Sequence, residues 1–344
     1  MIASLAPAEF IRSPTAVGYP ISIAPIMDRT DRHYRYFMRQ ITKRTLLYTE
    51  MVTAQAIKHG DRDHLLGFSA EEKPLVLQVG GDDPKLLAEC ARIAAEFGYD
   101  AINLNVGCPS DRVQNGNFGA CLMTQPALVA ECIAAMRAAS KIPVSVKHRI
   151  GVDELDSYDH MAKFVETVAA TGCQHFTVHA RKAWLQGLSP KENRDVPPLR
   201  YEDVYRLKRD FPQLWIEING GIKALPQIQA HLDQVDAVMI GRAAYDTPYL
   251  FADVDGQFWG DQETVKTRSQ VIHAMLPYVD HWTGQGLKLN SITRHMLMLF
   301  HGQPGSRTWR RVITENACLP GAGSSVLKEA LRAVAETAAA SVLV

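Results

Sequence analysis

Hydrophobic and polar positions alternate along this chain in two patterns. Short apolar runs rich in Val, Ile, Leu and Tyr and bounded by turn residues predict eight strands. These runs are 19–27, 45–52, 74–81, 100–107, 142–150, 175–181, 214–221 and 236–242. Most are followed by a segment such as "DPKLLAECARIAAEFG", whose apolar residues recur every three or four positions, as in an amphipathic helix. Eight alternations of this kind favour a closed parallel barrel over an open sheet, so we predict an α/β protein built on a (β/α)8 TIM barrel.

The pattern changes after residue 260. The segments 263–283, 288–301, 306–317 and 324–342 predict helices, with Gly and Pro between them and no strand. We therefore expect a barrel over residues 1–260, followed by a small all-helical C-terminal domain over 261–344.

The helical domain is locally basic, although the whole chain has a net charge of zero. One acidic residue, Asp280, lies between positions 266 and 311, against seven basic ones: Lys266, Arg268, Lys288, Arg294, Arg307, Arg310 and Arg311. In isolation such a run is typical of a solvated helix face, whereas beside an active site it suits a polyanion.

Composition narrows the class of protein. Of 344 residues, 47% are hydrophobic and 22% charged, and no apolar run reaches the length of a membrane helix. The first residues lack the basic segment and long apolar stretch of a secretory signal, so we expect a cytoplasmic protein. The six cysteines form no CxxC pair, which predicts neither a metal site nor a disulfide framework. No self-complementary patch is evident, and a monomer is expected.

Polar side chains follow the predicted strands at or just after their C-terminal ends. They are Gln78, Asn105, Lys147, His179, Arg181, Asn219 and Arg242. Because these ends share one rim in a barrel, and active sites of this fold form there, we expect the side chains to converge on one mouth. Any one of these side chains is equally well explained as a structural polar group. Polar residues at the same end of six different strands make that explanation weaker for the whole set.

Two glycine-containing stretches predict a phosphate site. "INGGIK" (218–223) and "MIGRA" (239–243) follow the last two strands, where this fold usually grips phosphate. Glycine lets backbone N–H groups approach an anion, and Arg242 adds a charge-assisted contact.

The rest of the rim suits a flat heterocycle. Gln78 and Asn105 offer amides, Lys147 offers a positive charge, and "APIM" (24–27) offers a backbone strip with an apolar face. These are the needs of FMN, because a positive group near its N1–C2 region stabilises the reduced anion. No GxGxxG follows a strand, so a Rossmann dinucleotide site is not indicated.

Cys108 stands out in "AINLNVGCPS", between a strand and Pro109. At the rim its thiol would face the substrate and deliver a proton to carbon as general acid, which is the role we favour. A covalent nucleophile is the chemical alternative; it would need a base, for which His148 and His179 are the candidates. A buried structural cysteine is the remaining interpretation.

Several stretches resemble the dihydrouridine synthase family, the A subgroup most closely. They are "APIMDRTDRH" (24–33), "LLYTEMV" (46–52), "LQVGG" (77–81), "LNVGCPSDRVQNGNFGACLM" (104–123), "VKHRIG" (146–151), "VHARKAWLQGLSPKENR" (178–194) and "INGGIK". The resemblance implies a tRNA-binding FMN enzyme that reduces the C5–C6 bond of D-loop uridines 20 and 20a, at the elbow of tRNA, to dihydrouridine. NADPH would be the reductant, FMN N5 would give hydride to C6, and Cys108 would protonate C5.

The resemblance also implies roles for individual residues. The FMN contacts would be Pro25, Ile26, Met27, Gln78, Lys147, His179, Asn219, Gly220, Gly221, Gly241 and Arg242. Asn105 would touch the target nucleotide, and the other tRNA contacts would be Arg181, Lys191, Arg194, Arg307 and Arg310. One departure is visible: the family usually has Met directly after Pro, where this chain has Ile26 and then Met27, so which of the two packs on the flavin is open.

Two other functions remain open from the sequence. A small-molecule FMN barrel oxidoreductase of the dihydroorotate dehydrogenase type would use a similar rim but would not need a basic helical domain. A non-catalytic tRNA-binding protein would keep the barrel and need neither FMN nor Cys108.

Overall fold

The computed structural model describes residues 18–110 and 116–342, the last three by their backbone. In this part of the chain nine parallel strands form one sheet. They are β1 (Ile21–Ile23), β2 (Leu47–Tyr48), β3 (Val52–Thr53), β4 (Leu75–Gly80), β5 (Ala101–Val106), β6 (Val144–Arg149), β7 (His175–His179), β8 (Trp215–Asn219) and β9 (Ala237–Ile240).

The sheet closes into a barrel, as predicted. Its strand order is β1-β9-β8-β7-β6-β5-β4-β2, with β3 also paired to β4. The two ends meet at a parallel bridge from Ser22 to Leu46. There the Leu46 N–H donates to the Ile21 carbonyl at 3.0 Å, and the Ile23 N–H donates to the Leu46 carbonyl at 2.9 Å. The C-terminal ends of the strands therefore share one rim.

The second apolar run forms two short strands instead of the one that was predicted. The backbone N–H of Gln78 in β4 donates to the Thr49 hydroxyl at 3.0 Å, and that hydroxyl donates to the Glu50 carbonyl at 2.7 Å. The Thr49 side chain thus takes the place of a backbone acceptor for the Gln78 N–H, and pairing with β4 is interrupted between β2 and β3.

Helices follow most barrel strands. They are Ala54–His59, Arg62–Leu66, Pro84–Phe97, Pro126–Ala139, Tyr158–Ala169, Tyr201–Asp210 and Leu225–Leu232, with 3-10 turns at Ala70–Glu72, Gly119–Thr124 and Glu192–Arg194. The sequence explains where helix Pro84–Phe97 begins and ends. The Asp83 side chain accepts hydrogen bonds from the first N–H groups of the helix, and Gly98 ends it with a φ of 85°.

The chain divides into two compact units whose bounds differ from the predicted boundary at 260. The first contains the described residues up to Asp28 and Thr45–Gly241, and the second contains Arg29–Arg44 and the chain from Arg242 onward. Side-chain contacts within the second unit explain the difference. Asp31 pairs with Arg294 at 2.6 Å, and Tyr34 stacks on Tyr245 with ring centroids 5.5 Å apart.

The second unit is helical in the part of the chain that is described. Its helices are Arg32–Arg39, Arg242–Asp246, Val254–Trp259, Arg268–Gly284, Asn290–Thr293, Ser306–Asn316 and Ser324–Val342, with a 3-10 turn at Pro248–Asp253.

The helix predicted over 288–301 is limited to Asn290–Thr293. The Met296 carbonyl accepts a hydrogen bond from the Trp309 indole at 3.0 Å, and the Leu299 carbonyl accepts one from Arg268 at 2.9 Å. These carbonyls are used by distant side chains, and the chain continues as turns.

Buried polar side chains fill much of the barrel interior. Ser22, Gln78, Asn103, Ser145, Thr177, Glu217 and Asn219 are each at most 6% exposed. Among the described residues, no helix is both long and apolar enough to cross a membrane. In the same part of the chain, no group of three or more His, Cys, Asp or Glu side chains could bind a metal ion.

Candidate active site

A ladder of amide side chains crosses the barrel interior below the mouth. The Asn103 amide donates to the Ser145 hydroxyl at 2.9 Å, and the Gln78 amide donates to Asn103 Oδ1 at 2.8 Å. Asn105 Nδ2 then donates to Gln78 Oε1 at 2.9 Å. Each amide orients the next, so Gln78 and Asn105 are held rigidly at the ends of β4 and β5.

Asn105 also shapes the turn that carries Cys108. Its Oδ1 accepts hydrogen bonds from the N–H groups of Gly107 at 3.1 Å and Cys108 at 2.9 Å. The Cys108 carbonyl accepts from the Ala120 N–H at 2.8 Å, and the thiol is half-buried. Both ends of the Asn105 amide are therefore engaged within the protein, and its direct role here is to place Cys108 at the rim.

Arg149 fixes this turn from the other side. It lies at the end of β6, is 3% exposed, and donates from Nε to the Gly107 carbonyl at 2.8 Å. Its Nη1 donates to the carbonyls of Lys182 and Asn193, both at 3.0 Å. Burial lowers the pKa of Arg149 to about 10, so it stays charged at neutral pH. One guanidinium thus joins the Cys108 turn to the loop after β7.

Arg149 is not among the site residues predicted from the sequence. The available signal was its position in "VKHRIG", two residues after Lys147 and at the end of a strand. Its backbone acceptors lie far away along the chain, and no local pattern identifies them.

Lys147 projects from β6 toward β8. Its Nζ donates to Asn219 Oδ1 at 3.2 Å, and Asn219 Nδ2 donates to the Met239 carbonyl at 2.8 Å. Burial, followed by the positive charge of Arg149, lowers the Lys147 pKa to about 8, while Glu217 and Cys108 act in the opposite direction. At pH 7 the group is therefore mainly an ammonium ion.

The two rim histidines proposed as bases differ in position. His179, at the end of β7, is half-buried, and burial together with the charges of Arg149 and Lys147 holds its pKa well below the usual range. His148 was wrongly placed at the rim: it is fully buried, and its ring lies 5.1 Å from that of Phe164. On a strand, neighbouring residues face opposite sides, so His148 faces the helices where Lys147 faces the barrel.

The turn after β8 is built so that only glycine fits. Gly220 and Gly221 have φ of 125° and 72°. A Cβ at Gly220 would lie 2.9 Å from both His179 and Leu199 side-chain atoms, and one at Gly221 would lie 2.6 Å from Leu199. At Gly241, after β9, the nearest atom to such a Cβ is Asn219 Nδ2 at 4.0 Å, so that backbone borders open space. Arg242 is exposed and begins the second unit.

Two residues of the "APIM" segment, Ile26 and Met27, are candidates for packing on a flavin, and they differ in exposure. Pro25 and Ile26 are half-buried, and Ile26 packs on interior residues that include Tyr48 and Met239. Met27 is 52% exposed. Of the two, Ile26 is the one that extends the apolar interior of the barrel.

The loop after β7 is held together by its own side chains. Asn193 Nδ2 donates to the Trp184 carbonyl at 2.9 Å, and Asn193 Oδ1 accepts from the Trp184 N–H at 2.8 Å. The Lys182 ammonium lies 3.8 Å from the centre of the Trp184 ring. Arg181 donates to the Asp195 carbonyl at 3.4 Å and to the Pro197 carbonyl.

The remaining cations proposed to contact tRNA differ in exposure. Lys191 is exposed and Arg194 half-buried in the loop after β7. In the second unit, Arg307 and Arg310 are exposed on helix Ser306–Asn316, while Trp309 between them is fully buried. A spacing of three residues puts both arginines on the outer face of this helix.

Comparison with known proteins gives a consistent result. Residues 22–336 match the family described as dihydrouridine synthase (Dus). A tRNA-dihydrouridine(20/20a) synthase from Synechocystis sp. is 65% identical over 314 residues, covering 91% of this chain and 94% of that protein. The protein of the same name from Vibrio cholerae is 59% identical over 312 residues, covering 90% and 95%.

A solved structure shares the fold. A 2-naphthoyl-CoA reductase complex superimposes with a TM-score of 0.54 at 11% identity, covering 72% of this chain and 51% of that one. The resemblance read from the sequence motifs is confirmed by the family match and the relatives, and this chain belongs to the dihydrouridine synthase family.

Proposed function

We propose that this protein reduces the C5–C6 bond of D-loop uridines 20 and 20a in tRNA to dihydrouridine, with bound FMN and with NADPH as reductant. The observation that carries the proposal is Cys108, held at the barrel mouth by Asn105 and Arg149 beside the Lys147 ammonium. Relatives that bear the name tRNA-dihydrouridine(20/20a) synthase support the choice of substrate.

The residues at the mouth fit FMN. Gly220 and Gly221 give the turn after β8 a backbone conformation that side chains rarely adopt, Gly221 is exposed, and Gly241 borders open space, which suits a phosphate. Lys147 offers a charge for the N1–C2 region, His179 adds an uncharged ring, and Ile26 extends an apolar surface. The Gln78 amide already bonds Asn103 and Asn105, so it would meet the flavin in one fixed orientation.

Each side chain has a separate task in the reaction. Bound FMN, once NADPH has reduced it, would supply hydride from N5 to C6 of uracil. Cys108 donates the thiol proton to C5, so that one hydride and one proton complete the reduction. Asn105 and Arg149 hold the turn that aims the thiol. His179 is neutral at pH 7 because its pKa is so low, and it is therefore not the acid.

Binding of tRNA requires contacts away from the reacting base. A base inside folded RNA must leave its stack to enter a pocket, which costs free energy that phosphate contacts offset. We assign these contacts chiefly to the exposed Arg307 and Arg310, with the exposed Lys191 and the half-buried Arg194 on the loop after β7. Arg181 would act indirectly, since its guanidinium already holds that loop.

The experiment is a product assay on defined RNA. Purified protein is incubated with FMN, NADPH and unmodified tRNA transcripts carrying cytidine at position 20, at 20a, at both or at neither, and the nucleosides are analysed by mass spectrometry. Dihydrouridine should form from every transcript except the double substitution. Its absence from all four, or turnover of orotate or dihydroorotate in place of tRNA, would contradict the proposal.

Two further features belong to this proposal. We infer that the enzyme acts as a monomer, and that it works in the cytoplasm, where tRNA and NADPH are available. Light scattering at working concentration tests the first point, and subcellular fractionation of the tagged full chain tests the second.

A further inference from the structure

A buried carboxyl group lies beneath the mouth of the barrel. Glu217, in β8, is 5% exposed and accepts hydrogen bonds from the Ser22 hydroxyl on Oε1 and the Thr177 hydroxyl on Oε2, both at 2.5 Å. Hydroxyl donors on each oxygen favour the ionised form of a carboxyl group. Burial nevertheless raises the pKa of Glu217, an effect that Ser22, Thr177 and Lys147 oppose.

Strand register brings Glu217 and Lys147 to the same face of the sheet. Lys147 pairs with Thr177 across β6 and β7, and Thr177 pairs with Glu217 across β7 and β8. Paired positions of parallel strands share a face, so all three side chains point into the barrel. Thr177 bonds the carboxylate directly, and Lys147 bonds Asn219, two residues beyond Glu217 on β8.

The groups around Lys147 shift its pKa in opposite directions. Burial and Arg149 lower its pKa, and the Lys147 charge in turn lowers the pKa values of His179 and His148, which are neutral neighbours. Among the described residues, the two groups that raise the Lys147 pKa are Glu217 and Cys108. A Cys108 that donates a proton must carry that proton beforehand, so it brings no lasting negative charge. Glu217 is then the standing counter-charge.

We propose that Glu217 is a positioning residue that acts through Lys147, its buried carboxylate keeping the Lys147 ammonium charged toward the flavin. This inference rests on the proposed function, because it concerns the charge that Lys147 presents to FMN. It assigns a role to a residue of the barrel interior that the sequence motifs do not include.

The test is the pH dependence of FMN binding to the full chain, without NADPH or tRNA. Dissociation constants for oxidised and for dithionite-reduced FMN are measured by fluorescence and absorption titration from about pH 6 to pH 10 for wild type and Glu217→Gln. Wild-type affinity for reduced FMN should fall above about pH 8, where Lys147 loses its proton. In E217Q the fall should begin about one pH unit lower, giving binding about fivefold weaker near pH 8 and about tenfold weaker from about pH 9 upward.

Two variants separate this role from a purely structural one. Lys147→Arg keeps a positive charge throughout the range, so adding E217Q to it should leave the pH profile unchanged. Thr293→Val removes a buried, uncharged hydroxyl group in the second unit and should keep the wild-type profile. An E217Q profile that matches wild type, or an E217Q effect that persists in K147R, would overturn the inference.

A stability measurement keeps the inference testable if the wild type binds no FMN, a result that would count against the proposed function. The free energy of unfolding is then compared for wild type and E217Q across the same pH range. Because E217Q would lower the folded-state pKa of Lys147 further, E217Q should gain stability relative to wild type as pH rises toward 8. A difference that is constant with pH, or unchanged in the K147R background, would reject the Glu217–Lys147 link.

Discussion

At the residue scale, the site depends on charged groups that are kept out of water. Lys147 and Arg149 both have lowered pKa values because the barrel interior solvates them poorly. A cation buried in this way destabilises the fold until an anionic ligand offsets the cost. In the protein without a ligand, these buried charges therefore lower the stability of the fold.

Lys147→Met should reveal this cost as a pH-dependent difference in stability. The Lys147 pKa falls from 10.5 to about 8 on folding, which corresponds to about 3 kcal/mol. The cost is fully present below pH 8, where the lysine is charged in both states, and vanishes above pH 10.5, where it is neutral in both. Without FMN, wild type should therefore gain about 3 kcal/mol relative to K147M over this range. Chemical denaturation at several pH values measures it, and parallel curves would refute the assignment of the low pKa to Lys147.

Cys108→Ala should separate cofactor binding from catalysis. The alanine cannot supply the proton to C5, so turnover on tRNA should fall at least about 100-fold while FMN affinity stays within a factor of about two. Single-turnover reoxidation of the reduced enzyme by unmodified tRNA measures the step, with Cys318→Ala, at an exposed cysteine of the helical unit, as the matched control. Wild-type rates in C108A would remove Cys108 from the mechanism.

At the element scale, strands were easier to predict than their interruptions. Apolar runs marked the strands because parallel strands are covered on both faces. The break between β2 and β3, and the turns after Thr293, arise from side chains that take backbone hydrogen bonds: Thr49, Arg268 and Trp309. Such bonds join residues distant in sequence, and hydrophobic periodicity carries no sign of them.

The same limit applies to the site. Cys108, Lys147 and the Gly220–Gly221 turn stand in recognisable local motifs, and the structure places them where their strands end. The contribution of Arg149 and Glu217 depends on partners that lie on other strands and loops, so no stretch of sequence reveals it.

Arg149→Lys should loosen the Cys108 turn while leaving the barrel intact. One ammonium cannot replace a guanidinium that bonds three carbonyls on two loops. We expect kcat/KM on tRNA to fall about 10- to 100-fold, because the thiol is no longer aimed, with little change in FMN affinity. Hydrogen exchange of residues 105–110 should become faster in R149K and stay normal in Arg206→Lys, a surface control paired with Asp210. Unchanged exchange and rate would show that Arg149 does not hold the turn.

At the scale of the whole molecule, the two units have different compositions that suit different tasks. The barrel unit carries the buried chemistry at its strand ends, and the second unit carries exposed basic residues. Segment Arg29–Arg44 belongs to the second unit although it follows β1 in the chain. The Asp31–Arg294 ion pair and the stacking of Tyr34 on Tyr245 join this segment to the rest of the second unit. The boundary predicted at 260 had placed the segment with the barrel.

Arg307→Ala combined with Arg310→Ala should weaken tRNA binding through lost phosphate contacts. Each contact releases counterions, so the slope of log affinity against log salt should become shallower by about one to two. FMN content should not change, because both arginines lie on the outer face of helix Ser306–Asn316. Arg92→Ala, on a barrel helix where Arg92 pairs with Glu96, is the control for general loss of surface charge. Equal affinities for the double variant and wild type at several salt concentrations would exclude this helix from the interface.

If electrons pass from a flavin at this barrel mouth to uridine in tRNA, unmodified tRNA should reoxidise the reduced flavin. The protein is loaded with FMN, reduced with a limiting amount of NADPH without oxygen, and mixed with unmodified tRNA while the flavin absorption is followed. We predict that the oxidised flavin bands return with unmodified tRNA, and do not return with tRNA that already contains dihydrouridine at positions 20 and 20a. A protein that binds no flavin, or a reduced flavin that unmodified tRNA leaves unchanged, would show that this barrel does not transfer electrons from flavin to tRNA.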